Sequence, residues 1–184
     1  MADELIDILT VSGSFKGEVK LKSEAHEKGL WHASAQIWLY TPNGEILIQK
    51  RAINKDTYPD LWDISVAGHL SAGDSPISAA LREIKEEVGL VISAEALHFL
   101  KTIKNSKSPT KSIIDNEFNH LFICCTPIII EHLKLQVEEV ADVKLIEIAD
   151  FKKLLENNYH EFVPHGTEYY TYIIRSIENA LSVK

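Results

Sequence analysis

Three carboxylates, Glu83, Glu86 and Glu87, fall within one turn of a predicted helix. At about 100° per residue the i, i+3, i+4 spacing puts them on one face, away from a stripe of Ile77, Ala80, Leu81, Ile84 and Val88. Like charges so placed repel by a few tenths of a kcal/mol per pair in water, and a cation among them reverses the sign. Hard oxygen donors in this number suit Mg²⁺ or Mn²⁺, which keep some of their waters and bridge to substrate phosphates. The chemistry such a group would offer is a divalent cation held against a substrate's phosphates. Three glutamates alone also fit a solvated helix face, with Arg82 and Glu86 as an i,i+4 pair.

A second group is weaker. Asp115 and Glu117 flank Asn116, so on a strand they share a face with Asn119, while Asn116, Phe118 and His120 point the other way. With His69 from a nearby loop they offer donors for a cation. The alternative is a charged, solvent-facing edge strand. Lys50, Arg51 and Lys55 are either solubilising charges or the phosphate contacts beside the site.

The elements that must position these groups can be read from pattern. His32–Tyr40 and Glu45–Arg51 flank Pro42-Asn43-Gly44, a hairpin signature. Ser75 as N-cap and Pro76 at the first helical position open the glutamate helix, and Gly89 ends it. Residues 3–9 form a predicted strand, Ser12–Gly17 a turn, Ser23–Lys28 a helical turn, Leu61–Val66 a short strand and Gly68–Ser75 a small-residue loop. Further strands are expected over His98–Lys104, Ile113–Thr126 and Val143–Ile148, with a basic loop at Lys104–Lys111, and helices at about 149–157 and 167–181. The order is not regular βαβ alternation, so the expected class is α+β, a mixed sheet between helices.

The 184 residues carry 45% hydrophobic and 25% charged side chains, with Lys+Arg 19 against Asp+Glu 27 and a formal charge of -8. That length and balance suggest one globular domain. An acidic surface disfavours nucleic acid polymers and bare anionic membranes. Cys124 and Cys125 are adjacent; on a strand they point to opposite faces and read as reduced core residues. The acidic N-terminus has no basic leader and no apolar run is long enough to span a bilayer, so the expectation is a cytoplasmic protein.

The segment from Gly68 to Leu90 resembles the Nudix box: Gly, five residues, Glu, seven residues, Arg-Glu, an aliphatic, any residue, Glu-Glu, any residue, Gly, an aliphatic. It matches at Gly68, Arg82, Glu83, Ile84, Glu86, Glu87, Gly89 and Leu90, and departs at Asp74, where the family has Glu. The resemblance covers about residues 30–160, with the C-terminal helix beyond, in a single domain spanning 1–184. It implies the Nudix fold and Mg²⁺ or Mn²⁺ held by Glu83, Glu86 and Glu87, with the Gly68 carbonyl as an extra ligand. It also implies Arg82 as an orienting cation paired with Asp74, and Glu86 or Glu87 as general base.

Within that superfamily the chain looks most similar to the isopentenyl diphosphate isomerase branch, through residues 49–62, Ala67-Gly68-His69-Leu70 and Asp115-Asn116-Glu117. By that resemblance His26, His32, His69, Asp115 and Glu117 bind a metal. Ala67 stands where the isomerase has its catalytic cysteine, which points away from alkene protonation and toward hydrolysis. The expected activity is pyrophosphohydrolysis of a nucleoside di- or triphosphate or a related small diphosphate derivative, with a homodimer in keeping with the family. The rival readings are an isomerase and a non-catalytic nucleotide-binding module. His165 and the remaining histidines read as surface or core residues, and Glu138 and Glu139 as loop acids or site-lining groups.

Overall fold

A computed structural model of the chain describes residues 3–110 and 112–182. Met1 and Ala2, part of the leader reading, and Lys111 of the basic loop lie outside them. Strands β1 (Leu5–Leu9) and β2 (Phe15–Leu21) form a small antiparallel sheet, followed by α1 (Lys22–Lys28). Then come β3 (His32–Tyr40), β4 (Glu45–Arg51), β5 (Trp62–Asp63), β6 (Val66–His69) and α2 (Pro76–Glu87). The chain continues through β7 (His98–Lys107), β8 (Asp115–Cys125), β9 (Val140–Glu147), α3 (Ile148–Asn157) and α4 (Thr167–Ser182).

The main sheet is mixed: β3 runs parallel to β8 and antiparallel to β6, and β4 is antiparallel to β9. The Asn-Gly hairpin forms, yet β3 and β4 register only at Tyr40 opposite Ile46. Beyond that point they splay. The freed edge of β3 takes β6, and the freed edge of β4 takes β5. The splay opens the sheet at one end, where the candidate site lies.

Two cores cover the two faces. Ala35, Ile37, Leu39, Leu47, Val66 and Phe122 pack against Ala79, Ala80 and Ile84 of α2 and Val88 at its C-terminal cap. Trp38, Tyr40, Ile46, Ile48 and Leu121 pack against Phe151 of α3 and Tyr170, Ile173, Ile174 and Ile177 of α4. Every residue of β3 is buried, as a strand covered on both faces must be. This is the α+β arrangement of a mixed sheet between helices.

Several expectations need correction. Phe15–Gly17 belongs to β2 rather than to a turn: the reversal is tighter, closed by Thr10 and Ser14. Residues 61–66 break into β5 and the start of β6, and Gly68 and His69 are strand, not loop. Ile77 leaves the apolar stripe and is 43% exposed, because α2 meets the sheet from its second turn onward. Cys124 and Cys125 form no disulfide among the described residues. No described helix is long and apolar enough to cross a membrane.

Candidate active site

Strand β6 organises the site. Its Gly68 pairs with Ala35, and His69 pairs with Ser34. Successive strand residues face opposite sides, so Gly68 turns toward α2 and His69 toward the far face. Both faces open on one cleft of about 600 Å³, whose lining includes Glu83, Glu86, Glu87, His26, His69, Asp115 and Glu117.

On the α2 side the helix starts as its sequence dictates. The Ser75 hydroxyl accepts from the Ser78 N–H, the Ser78 hydroxyl accepts from the Ser75 N–H, and Pro76 occupies the first turn. Gly89 takes φ 74°, where a side chain would be disfavoured. The three glutamates divide: Glu83 and Glu87 are buried, and Glu86 is exposed at the rim. Gly68 packs so closely on Glu83 that a Cβ would collide with the carboxylate. Burial pushes the Glu83 carboxyl up to about 7, Arg82 opposing it and Glu4 and Glu86 adding to it. Burial and then the charge of Glu83 push Glu87 upward too. Gln49 donates to Glu87 at 3.1 Å, its own Oε1 buried without a partner.

Arg82 ties this side together. It donates to Glu83 at 2.7 Å, to Glu86 at 3.1 Å, to Asp74 at 3.3 Å and to the His69 carbonyl at 2.9 Å. The shorter Asp74 thus still reaches the arginine. Glu4 approaches it at 3.5 Å, a partner with no signal in the local motif.

On the other face, β3 presents His32, directly opposite Glu117 in the parallel β3–β8 ladder. His32 Nε2 lies 3.4 Å and His69 Nε2 3.1 Å from the same Glu117 oxygen, and His26 Nε2 lies 3.2 Å from His69 Nε2. The ligand atoms of these four residues all fall within 4.8 Å of one another. Asp115 stands just outside that group, its Oδ1 3.7 Å from His26. His32 Nε2 and Asp115 Oδ1 are buried with no hydrogen-bond partner, a costly condition that a bound cation would relieve. Burial, then the neighbouring imidazoles, pull His26 down to about 3. Burial, then Glu117, push Asp115 up to about 6. Contacts from His32 and His69 outweigh burial at Glu117 and hold it well below the usual range. Asn119 donates to Glu117 at 2.7 Å and to Ser34 at 2.8 Å, in keeping with the face shared by 115, 117 and 119.

The expected phosphate cations fare differently. Lys55 lines the cleft and pairs with Glu139. Arg51 also lines it, but its guanidinium is taken up by Thr57 and by Asp63. The structure does not bring Lys50 to the cleft: it alternates to the other side of β4 and pairs with Asp60 at 2.7 Å. Sequence reasoning passed over Lys22, which lines the cleft at the start of α1. It also passed over His165, whose Nε2 lies 2.7 Å from buried Asp63. Neither sits in a motif. Glu138 and Glu139 both line the cleft.

Comparisons with known proteins bear on the family and the fold. The model of the NUDIX domain matches residues 30–166. The chain is 32% identical over 205 residues to an uncharacterised Nudix hydrolase of Clostridium acetobutylicum, covering 96% of this chain and 98% of that protein. It is 34% identical to Nudix hydrolase 3 of Arabidopsis thaliana over 90% of this chain, but spans 22% of that protein's length. An isopentenyl-diphosphate Delta-isomerase of Streptomyces avermitilis is 27% identical, with 79% of this chain and 72% of that protein covered. The solved structure of DR0079 from Deinococcus radiodurans shares the fold, with a TM-score of 0.63 at 19% identity over 84% of this chain and 90% of that one. The chain belongs to the Nudix family.

Proposed function

We propose that the protein is a divalent-cation-dependent hydrolase of a diphosphate linkage in a nucleoside di- or triphosphate or a related polar derivative. The observation that carries this reading is the buried pair Glu83 and Glu87 facing the cleft against Gly68. Two buried acids raised by desolvation form a site short of positive charge, and the donor set suits Mg²⁺ or Mn²⁺. Glu83, Glu86 and Glu87, with the Gly68 carbonyl, would hold the cation. The chemistry it supplies when bound is neutralisation of diphosphate charge and a lower pKa for water.

This chain's own groups do the rest. Arg82 fixes the carboxylates of Glu83 and Glu86 and ties them to the His69 carbonyl. Lys55 and Lys22 face the cleft from loop and helix and would take phosphate oxygens. Glu86 or Glu87 accepts the proton of the attacking water. The cleft lining is mostly charged or amide-bearing, with Ile64, Ala67, Ile113 and Val163 as its few apolar members. His26, His32, His69 and Glu117 would hold a second cation, their imidazoles favouring Mn²⁺ or another transition metal over Mg²⁺. Two adjacent cysteines outside any disulfide suit a reducing cytoplasm.

Ala67 leaves the rival isomerase reading without a thiol at that position. Incubation with isopentenyl diphosphate in deuterated water is expected to give no deuterium in an allylic product. Nucleoside diphosphate derivatives in ¹⁸O-water are expected to yield a phosphate product carrying one ¹⁸O. Deuterium incorporation at a catalytic rate, with no ¹⁸O product, would reverse the assignment.

A further inference from the structure

The loop 52–60 carries an oddity at the cleft. Tyr58 has φ 50° and Asp60 φ 59°, the only described non-glycine residues in the left-handed region. Glycine or asparagine would adopt such a backbone more readily than an aromatic residue. The conformation is imposed from below. Arg51 donates through Nε at 3.1 Å and Nη2 at 2.8 Å to the carbonyl of Thr57, the residue before Tyr58. A further bond runs from Nη2 to the Thr57 hydroxyl at 3.2 Å. Arg51 is in turn anchored by buried Asp63 at 3.1 Å, and Asp63 by His165 at 2.7 Å. His165 stacks on Tyr169, ring centroids 4.7 Å apart.

This brace ends in a side chain with no internal use. Among the described residues Tyr58 makes no hydrogen bond and no ring contact, yet it is half-buried and lines the cleft. Burial, then the charge of Asp115, push its phenol above the usual value. The Arg51 brace maintains the disfavoured backbone, and strain held at a cleft in this way points to a role in function. Of the rings that line the cleft, those of His26, His69 and His165 have partners within the protein, which leaves the Tyr58 ring as a face onto which a planar group could stack.

We propose that Tyr58 is a specificity-determining residue whose ring receives the nucleobase of a nucleoside diphosphate derivative. The inference rests on the diphosphate-cleft reading above and extends it to the part of the substrate that does not react. Arg51, Asp63 and His165 are then positioning residues for Tyr58.

Calorimetric titration with Mg²⁺ separates the two claims, using α,β-methylene-ADP and its base-free counterpart methylenediphosphonate as probes. Wild type is expected to bind α,β-methylene-ADP the more tightly. Tyr58→Gly should weaken that binding roughly tenfold, the scale of losing one base–aromatic stack. It should leave methylenediphosphonate within about twofold and raise the melting temperature of the ligand-free protein, as glycine relieves a left-handed position. Tyr58→Phe should bind both probes as wild type does. Equal affinity of wild type for the two probes, or an unchanged preference in Tyr58→Gly, would overturn the assignment of Tyr58 and leave the diphosphate cleft standing. Wild type that binds neither probe would overturn both.

Discussion

The two faces of β6 hold two different kinds of site. On the Gly68 face the donors come from one helix, are all carboxylates, and two of them are buried without enough positive charge. On the His69 face they come from α1, β3, β6 and β8, are mostly imidazoles, and already share a carboxylate in Glu117. The carboxylate face is the one suited to phosphate chemistry with a hard cation. The histidine face is suited to holding a softer ion or orienting substrate. One strand separates them because neighbouring residues on a strand cannot face the same way.

The largest expected effect falls on the carboxylate face. Glu87→Gln preserves shape but removes charge, and turnover should drop at least about a hundredfold, the scale of losing a metal ligand or base. Glu86→Gln should fall comparably in turnover while leaving thermal stability nearly unchanged, since Glu86 is exposed. Steady-state rates and melting curves on the same preparations separate the two readouts. Full activity in both would erase the distinction between the faces.

Next in size is Gly68→Ala. Its Cβ has no room beside the Glu83 carboxylate, so stability should fall by about 1–3 kcal/mol, as overpacking does. Chemical denaturation measures this; a stability equal to wild type would mean that Glu83 moves freely. On the histidine face, His32→Ala should weaken Mn²⁺ binding by about 10- to 100-fold, while hydrolysis supported by Mg²⁺ falls less than in Glu87→Gln. Mn²⁺ titration followed by electron paramagnetic resonance reads the first. A collapse of Mg²⁺-supported turnover in His32→Ala would show the two faces to be one catalytic unit.

The smallest effect is electrostatic. Glu83 is raised from 4.5 to about 7 in the folded protein, so it holds a proton that the unfolded chain has lost. Its contribution to stability is full below about pH 4.5 and is lost as pH rises through about 7. Glu87 shifts in the same direction. The melting temperature of the metal-free protein should therefore decline between pH 5 and pH 8 as measured by calorimetry, and saturating Mg²⁺ should flatten the decline. A metal-free melting temperature that rises over that range would contradict the burial of these acids.

The same contrast explains what was legible in the sequence. The glutamate face is local: caps, apolar stripe and carboxylates lie within 75–89, so helix periodicity and a short motif suffice. The histidine face is not local. His32 meets Glu117 only because β3 and β8 pair in parallel, a register that no spacing between residues 32 and 117 announces. Asp115 and Glu117 were placed on one face by strand alternation, but their meeting with His26 rested on family resemblance. Strand β2 was hidden by glycine and short polar residues that also read as a turn. Lys50 was assigned to phosphate from its charge, and alternation along β4 sends it to Asp60 instead. Glu4, Gln49 and His165 gave no signal because each acts through a partner on another element.

The central claim is that the carboxylate face of β6 hydrolyses diphosphates with a divalent cation. Its most direct test is phosphate release from a panel of nucleotide and non-nucleotide diphosphates, with Mg²⁺ or Mn²⁺, for wild type and Glu87→Gln side by side. Wild type is expected to show cation-dependent release from at least one nucleoside derivative, reduced at least about a hundredfold in Glu87→Gln. Release that is equal in the two proteins, or absent from wild type across the panel, would contradict it.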